Sequence, residues 1–342
     1  MTLFGRLAHL WPRRSQPAAL SARLPLLFLH IPKTAGTSFR VGAVGALGSG
    51  SCHFDYGQKQ RLTSRLVLRH AYEQPDLHRL GSELDRVGCR FLGGHFGYRK
   101  YAALFAANRV VAFLRHPRDQ LLSHFAHLRR EGGFKGDLVT FLRTRHGAGC
   151  QTRAFSGFHL EAFGLVGVTE RYADSLRVLE ADFGLQMEQL TRNVSPRAAE
   201  GCGYEVPEEL RGRFEDAIAE DMPTWQRANE LLDGRLATLA AGKAWVHGAI
   251  SVANTKTVSG FAWFGSHDAP VELELIVNNE VRACTHASQD RPPLRAWNVP
   301  RNAFVGFDFR SAGLFAPGDR IEVNVAGSGQ VLGRTAIGEP VH

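Results

Sequence analysis

The sequence predicts an α/β domain built on a central parallel sheet, followed by an antiparallel β-sandwich. Three observations carry this. From Leu26 to about Ala241, apolar runs of strand length alternate with helical patterns, the rhythm of strand-helix-strand units. The first run passes through a Pro- and Gly-containing turn directly into a helix, a P-loop-like arrangement. After Gly242, VSGFAWF, VELELIVNN, EVRACTH, FVGFDF and RIEVNVAG alternate apolar and polar residues at period two, separated by Asn, Gly, Asp and Pro.

Taken in order, residues 1–24 read as a basic tail. LLFLHI (Leu26–Ile31) reads as a buried strand, with a helix starting near Gly36. RVVAFL (Arg109–Leu114) is a second strand, after which Pro117 opens a helix with Leu121, Leu122 and Phe125 on one face. GLVGV (Gly164–Val168) is a third, and Thr169 is placed to cap the helix that follows, with Leu176 and Leu179 facing inward. The stretch from about Pro207 to Ala241 reads as wholly helical. The expected boundaries are therefore a tail over 1–24, the α/β domain over 25–241 and the β-sandwich over 245–342.

Composition narrows the class of protein. Hydrophobic residues at 44% and charged residues at 22% suit a soluble globular chain. The net charge of +8 and pI near 9.5 suit an anionic ligand. The excess is spread along the chain with no Lys/Arg block, which favours an anion pocket over a nucleic-acid arm. Five scattered cysteines (Cys52, Cys89, Cys150, Cys202, Cys284) form no C-x-x-C pair, so neither a disulfide framework nor a zinc site is expected. The N-terminal stretch, broken by Pro12, Arg13, Arg14 and Pro17, lacks the apolar core of a signal peptide or membrane span. A cytoplasmic protein is expected, and the Asn193-Val194-Ser195 sequon is read as chance.

The segment richest in chemistry is FLHIPKTAGTSFR, Phe28 to Arg40. Backbone N–H groups at a helix start point outward unsatisfied, and the helix dipole adds positive potential. Gly36 admits an anion close to the backbone, Thr37 and Ser38 add hydroxyls, and Lys33 adds a full charge. A nucleotide-triphosphate P-loop places its Lys after the last Gly. Here Lys33 precedes Gly36 and no first Gly exists, which argues against a Mg²⁺-dependent kinase or NTPase.

This string resembles the 5′-phosphosulfate loop of sulfotransferases related to the heparan sulfate and uronyl 2-O-sulfotransferases, bacterial members included. The resemblance implies 3′-phosphoadenosine 5′-phosphosulfate (PAPS) as co-substrate without a metal, held by Lys33, Thr34, Ala35, Gly36, Thr37 and Ser38. The second family signature, a strand followed by R-x-P-x-x-x-x-x-S, is matched by VVAFLRHPRDQLLSHF. It implies that Arg115 and Ser123 hold the 3′-phosphate, a guanidinium offering a two-pronged charged donor. CQTRAFSG and VGVTERYADSL look like the family's adenosine-side segments and carry over Gln151, Thr152, Arg153 and Glu170. On the residues alone, Arg153 serves equally as a surface side chain and Glu170 as a first-turn carboxylate. His124 and His127 have metal-ligand spacing, but with no third ligand evident they read as a solvated helix face.

Sulfuryl transfer needs in-line geometry, charge stabilisation and an acceptor for the hydroxyl proton. The resemblance points to His95 in FLGGHFGYRKY as general base and to Lys33 as the group following charge onto the leaving phosphate. Gly93 and Gly94 are expected to leave room for a sugar. His30 is the second candidate base; the 2-O-sulfotransferases commonly carry Arg there, and a His where this chain has Gly93. Arg99, Lys100 and Arg118 are candidates for meeting an acidic glycan. The C-terminal stretch resembles a β module attached to bacterial glycosyltransferases, with Phe261, Trp263, Phe307 and Phe309 expected in the sandwich core. The function expected is transfer of a sulfuryl group to a carbohydrate hydroxyl; the alternative is a glycan-binding protein that has kept the fold and lost turnover. Acceptor identity and oligomeric state stay open.

Overall fold

The computed structural model describes residues 25–155, 157–187, 206–310 and 315–339. The expected basic tail, Cys202 and the Asn193 sequon lie outside the described residues. Five short strands, β1 (Leu26–Leu29), β2 (Cys52–Asp55), β3 (Phe91–Gly94), β4 (Val110–Leu114) and β5 (Leu165–Val168), form one sheet in the order β2-β3-β1-β4-β5. Every neighbouring pair is parallel. β1, β3, β4 and β5 are buried along their whole length, as continuous apolar strands covered on both faces should be.

Helices α1 (Gly36–Leu47), α2 (Leu77–Arg86), α3 (Pro117–Arg130) and α6 (Tyr172–Phe183) connect or cover the strands, with the shorter α4 (Leu138–Leu142) and α5 (Cys150–Ala154) between α3 and β5. Phe39 pins α1 to the sheet: fully buried, its ring lies 4.5 Å from that of Phe28 and 5.0 Å from that of Phe113. Removing it should cost about 3–5 kcal/mol and free the helix start from its place at the end of β1.

Two local readings change. Thr169 does not cap a helix; its hydroxyl donates to the Leu114 carbonyl at 2.9 Å, and α6 begins three residues later at Tyr172. A Thr hydroxyl reaching a strand carbonyl satisfies that oxygen where β4 ends, and this outcompetes the cap. The 207–241 stretch is two helices, α7 (Arg211–Ala219) and α8 (Met222–Ala240), broken at Glu220–Asp221. Asp221 is drawn away to serve another helix, as described below.

The C-terminal residues form two antiparallel four-stranded sheets. One runs β10-β11-β7-β6, from β6 (Val246–Ala253), β7 (Thr257–Phe264), β10 (Gln289–Asp290) and β11 (Phe304–Arg310). The other runs β13-β12-β8-β9, from β8 (Val271–Val277), β9 (Glu280–Ala287), β12 (Arg320–Val325) and β13 (Val331–Ala336). Phe307 and Phe309 pack in the core between the sheets. Phe261 and Trp263 do not: with Ala249 and Val305 they join the apolar core of the α/β domain. Period two explains the split, since the first sheet is buried on both faces and alternate residues serve different cores. Tyr98 donates to the Trp297 carbonyl at 2.9 Å, and His247 Nδ1 donates to the Glu161 carbonyl at 3.0 Å, so polar contacts cross the same junction.

Candidate functional site

In a parallel sheet, connections that leave neighbouring strands in opposite directions open a crevice at the strands' carboxyl ends. β1 leads away toward β2 and β4 toward β5, so the crevice lies between β1 and β4, with β3 on the other side of β1. The loop after β1, Arg115 after β4 and His95 after β3 are thereby brought to one edge by three adjacent strands.

The loop after β1 is strained. Lys33 and Ala35 both sit in the left-handed region, at φ 67° and 65°. For residues with a Cβ that conformation costs about 1–2 kcal/mol each. Between them Thr34 is fully buried, its hydroxyl donating to the Ile31 carbonyl at 2.9 Å. The helix then starts, with Phe39 N–H donating to the Ala35 carbonyl at 3.2 Å. Lys33 is half-buried, Thr37 exposed and Ser38 buried at the helix start. Gly36 is required by close approach: a Cβ there would fall 2.1 Å from His30 Cδ2 and 2.3 Å from its Nε2.

On the β4 side the backbone of Arg115 is gripped from both ends by the buried Gln151. Its Oε1 accepts from Arg115 N–H at 2.9 Å, and its Nε2 donates to the Arg115 carbonyl at 2.9 Å. Glu170 Oε1 accepts the next N–H, that of His116, at 2.7 Å. Both residues act on the main chain that presents Arg115. Pro117 opens α3, and one turn along it Gln120, fully buried, donates from Nε2 to the Pro32 carbonyl at 2.9 Å. The two loops are thus tied directly. Ser123 lies half-buried three residues further along the same helix.

Asp221 was not singled out by the sequence and is fully buried. It accepts from the N–H groups of Gln151 at 3.2 Å and Thr152 at 2.8 Å, capping α5 from across the fold. Thr152 Oγ1 donates to the Glu220 carbonyl at 3.1 Å and lies 2.7 Å from Thr224 Oγ1. The Arg153 guanidinium donates to the carbonyls of Ala148 at 2.6 Å and Arg145 at 2.8 Å. Thr152 and Arg153 therefore bind the turn that carries α5.

His95 follows β3. Its N–H donates to the Asp55 carbonyl at 2.9 Å, and its Nδ1 donates to the His30 carbonyl at 2.6 Å. A carbonyl only accepts, so the Nδ1 proton is fixed and the neutral ring presents a lone pair at Nε2. The ring lies 4.5 Å from that of His30 and edge-on to Tyr56 at 4.8 Å. The packed surroundings lower its pKa below 6.5; the His30 carbonyl opposes this, and nearby His146, Arg40 and His127 reinforce it. His30 is held more strongly, pushed down to about 3 by burial first and then by His95, Arg40 and Lys33.

Three expectations are corrected. Gly93 and Gly94 do not open space for a sugar: a Cβ on Gly94 would lie 1.8 Å from the Asp55 carbonyl, and one on Gly93 would strike the Phe91 and Phe28 rings. Lys100 gives its charge to the buried Asp55 at 2.5 Å, so it is not placed to meet a glycan. Burial pushes the Asp55 pKa up, but hydrogen bonds from Lys100, Tyr72 and Tyr101 outweigh it and hold the carboxyl below its usual range. His124 is not on a solvated face; it is buried with His146 edge-on at 5.4 Å, and its Nδ1 has no hydrogen-bond partner. Among the described residues no group of three or more His, Cys, Asp or Glu side chains is placed to hold a metal ion. No described helix is long and apolar enough to cross a membrane.

No protein-family model matches the chain, and no curated protein does. Among solved structures it is similar to the crystal structure of a sulfotransferase from Alicyclobacillus acidocaldarius, at 16% identity and a TM-score of 0.33, over 59% of this chain and 96% of that one. A likeness this distant leaves the fold to be read from the strand order itself.

Proposed function

We propose that this chain is a sulfotransferase that moves a sulfuryl group from PAPS to a hydroxyl, with a carbohydrate as acceptor. The observation that carries the reading is the meeting of three elements at one sheet edge: a strained, lysine-bearing loop on a helix start, an arginine held by its backbone, and a histidine with a fixed tautomer. The residues suit the donor. The left-handed backbone at Lys33 and Ala35, on either side of Thr34, is of the kind from which anion-binding nests are built. Lys33 and the start of α1 match the charge of a phosphosulfate, and Arg115 supplies a second, separate anion partner for the 3′-phosphate.

PAPS supplies the activated sulfuryl group. The chain's own residues supply position and proton traffic. His95 Nε2 takes the acceptor's proton as the new O–S bond forms. The S–O bond to the donor phosphate breaks, its electron pair stays on that oxygen, and the Lys33 ammonium offsets the charge. Balance is complete with a sulfated acceptor, 3′-phosphoadenosine 5′-phosphate (PAP) and one proton on His95.

The test is transfer of label from ³⁵S-PAPS to a panel of neutral and acidic glycans in chelator-containing buffer. Wild-type protein should label at least one, and His95→Asn should lose about 10²–10⁴-fold of the rate. Transfer by His95→Asn at the wild-type rate would remove His95 from the role of base.

A further inference from the structure

His30 stands at the junction of the donor loop and the base, and it is nine-tenths buried. Three contacts define it. Its carbonyl accepts from His95 Nδ1 at 2.6 Å. Its Nδ1 lies 2.8 Å from the Tyr56 hydroxyl, with the two rings edge to face. The Cδ2–Nε2 edge of the ring lies against Gly36, so closely that a Cβ there would fall 2.3 Å from Nε2.

We infer that His30 is a donor-binding residue: Tyr56 fixes its proton on Nε2, and that N–H donates to the phosphosulfate at the start of α1. The inference rests on the sulfotransferase reading for its ligand. Tyr56 keeps its proton across the neutral range, pushed up to about 12 by burial, with Arg40 opposing. A phenol can donate to an imidazole nitrogen or accept from one; as donor to Nδ1 at 2.8 Å it places the single proton of the neutral imidazole on Nε2, the tautomer that an anion at the start of α1 selects. A phosphosulfate has no proton of its own at neutral pH and can only accept. The opposite tautomer would turn a lone pair toward an anion.

The two adjacent histidines, their rings 4.5 Å apart and tilted by 38°, then carry opposite tautomers and opposite tasks. His95 holds its proton on Nδ1 and offers a lone pair; His30 holds its proton on Nε2 and offers a donor. This removes His30 from candidacy as the base, since neither of its nitrogens is open to receive a proton. Tyr56 is a positioning residue, acting only through the His30 ring.

Long-range ¹H–¹⁵N correlation on histidine-labelled wild-type protein reads the tautomers directly. His30 should show the proton on Nε2 and His95 on Nδ1, and Tyr56→Phe should shift His30 toward the Nδ1–H form. A proton on His30 Nδ1 in the wild type overturns the inference. Calorimetry with PAP tests the ligand. His30→Leu should weaken PAP binding about ten- to a hundredfold, the loss of one hydrogen bond to a charged group, and His30→Gln, which keeps an N–H, should recover most of it. PAP binding by His30→Leu at wild-type strength overturns the role of His30 alone. Absence of PAP binding by the wild type, with the tautomers as stated, overturns the sulfotransferase reading and the ligand named here.

Discussion

Gln120 Nε2 donates to the Pro32 carbonyl at 2.9 Å, joining the helix after β4 to the loop after β1. It is a direct side-chain bond between the two loops of the candidate donor site. Gln120 is fully buried, and its Oε1 has no partner. Replacing it with Leu removes that unpaired oxygen but strands the Pro32 carbonyl, a cost of about 1–3 kcal/mol. Gln120→Leu should therefore lower PAP affinity while leaving far-UV circular dichroism unchanged. Unchanged affinity would show that the loops are registered by other contacts.

Ala35 stores strain with no side chain of functional value. Ala35→Gly relieves a left-handed φ of 65° and should stabilise the protein by about 1 kcal/mol in a denaturant titration. The larger entropy of glycine in the unfolded chain works against this gain. A loss of stability would mean that entropy exceeds the strain.

The pH dependence of transfer follows from His95. A general base must be unprotonated, and the His95 pKa is lowered from 6.5. The rate kcat/KM should thus fall only on the acid side, with its midpoint below pH 6.5, and be level above. A midpoint above 6.5 in a pH–rate profile would contradict this environment for His95.

Stability should also be lost in acid. Burial depresses His30 to about 3, His124 to about 4 and His247 to about 3. With folded pKa values below the unfolded 6.5, the unfolded chain takes up protons first as pH falls. The stabilisation is whole above pH 6.5 and is lost as pH falls from 6.5 to about 4 for His124 and to about 3 for His30 and His247, at up to ~1.4 kcal/mol per pH unit for each histidine. Denaturant titrations at pH 7.5 and 5 check this, and His124→Leu should flatten the slope.

Trp263 belongs to the core of the α/β domain although it lies in the C-terminal sheet. Trp263→Ala should cost about 3–5 kcal/mol and keep a single unfolding transition for both parts of the chain. Two separated transitions in the wild type by calorimetry would contradict a shared core.

Strands β1, β4 and β5 and the starts of α1 and α3 were legible because continuous apolar runs, Gly36 and Pro117 are local signals, whereas β2, with the sequence CHFD, carries no such run. The pairing of β1 with both β3 and β4 was not legible, since similar apolar runs carry no label of their order. At the site, Lys33 stands out through its place before a helix start, whereas Arg115 and His95 stand out only through the family resemblance of their segments. Asp221, Gln120 and Tyr56 do not, because each acts on a distant partner: Asp221 on the N–H of Thr152, Gln120 on the carbonyl of Pro32, Tyr56 on the ring of His30. Gly94 misled for the opposite reason. Its lack of a side chain reads as open space in one dimension, whereas the Asp55 carbonyl fills that space in three.

Calorimetric titration of PAP into wild-type protein and Arg115→Ala, in chelator-containing buffer, tests the central claim without knowledge of the acceptor. The wild type should bind PAP with micromolar affinity, and Arg115→Ala should lose that binding. Failure of folded wild-type protein to bind PAP would contradict the sulfotransferase reading.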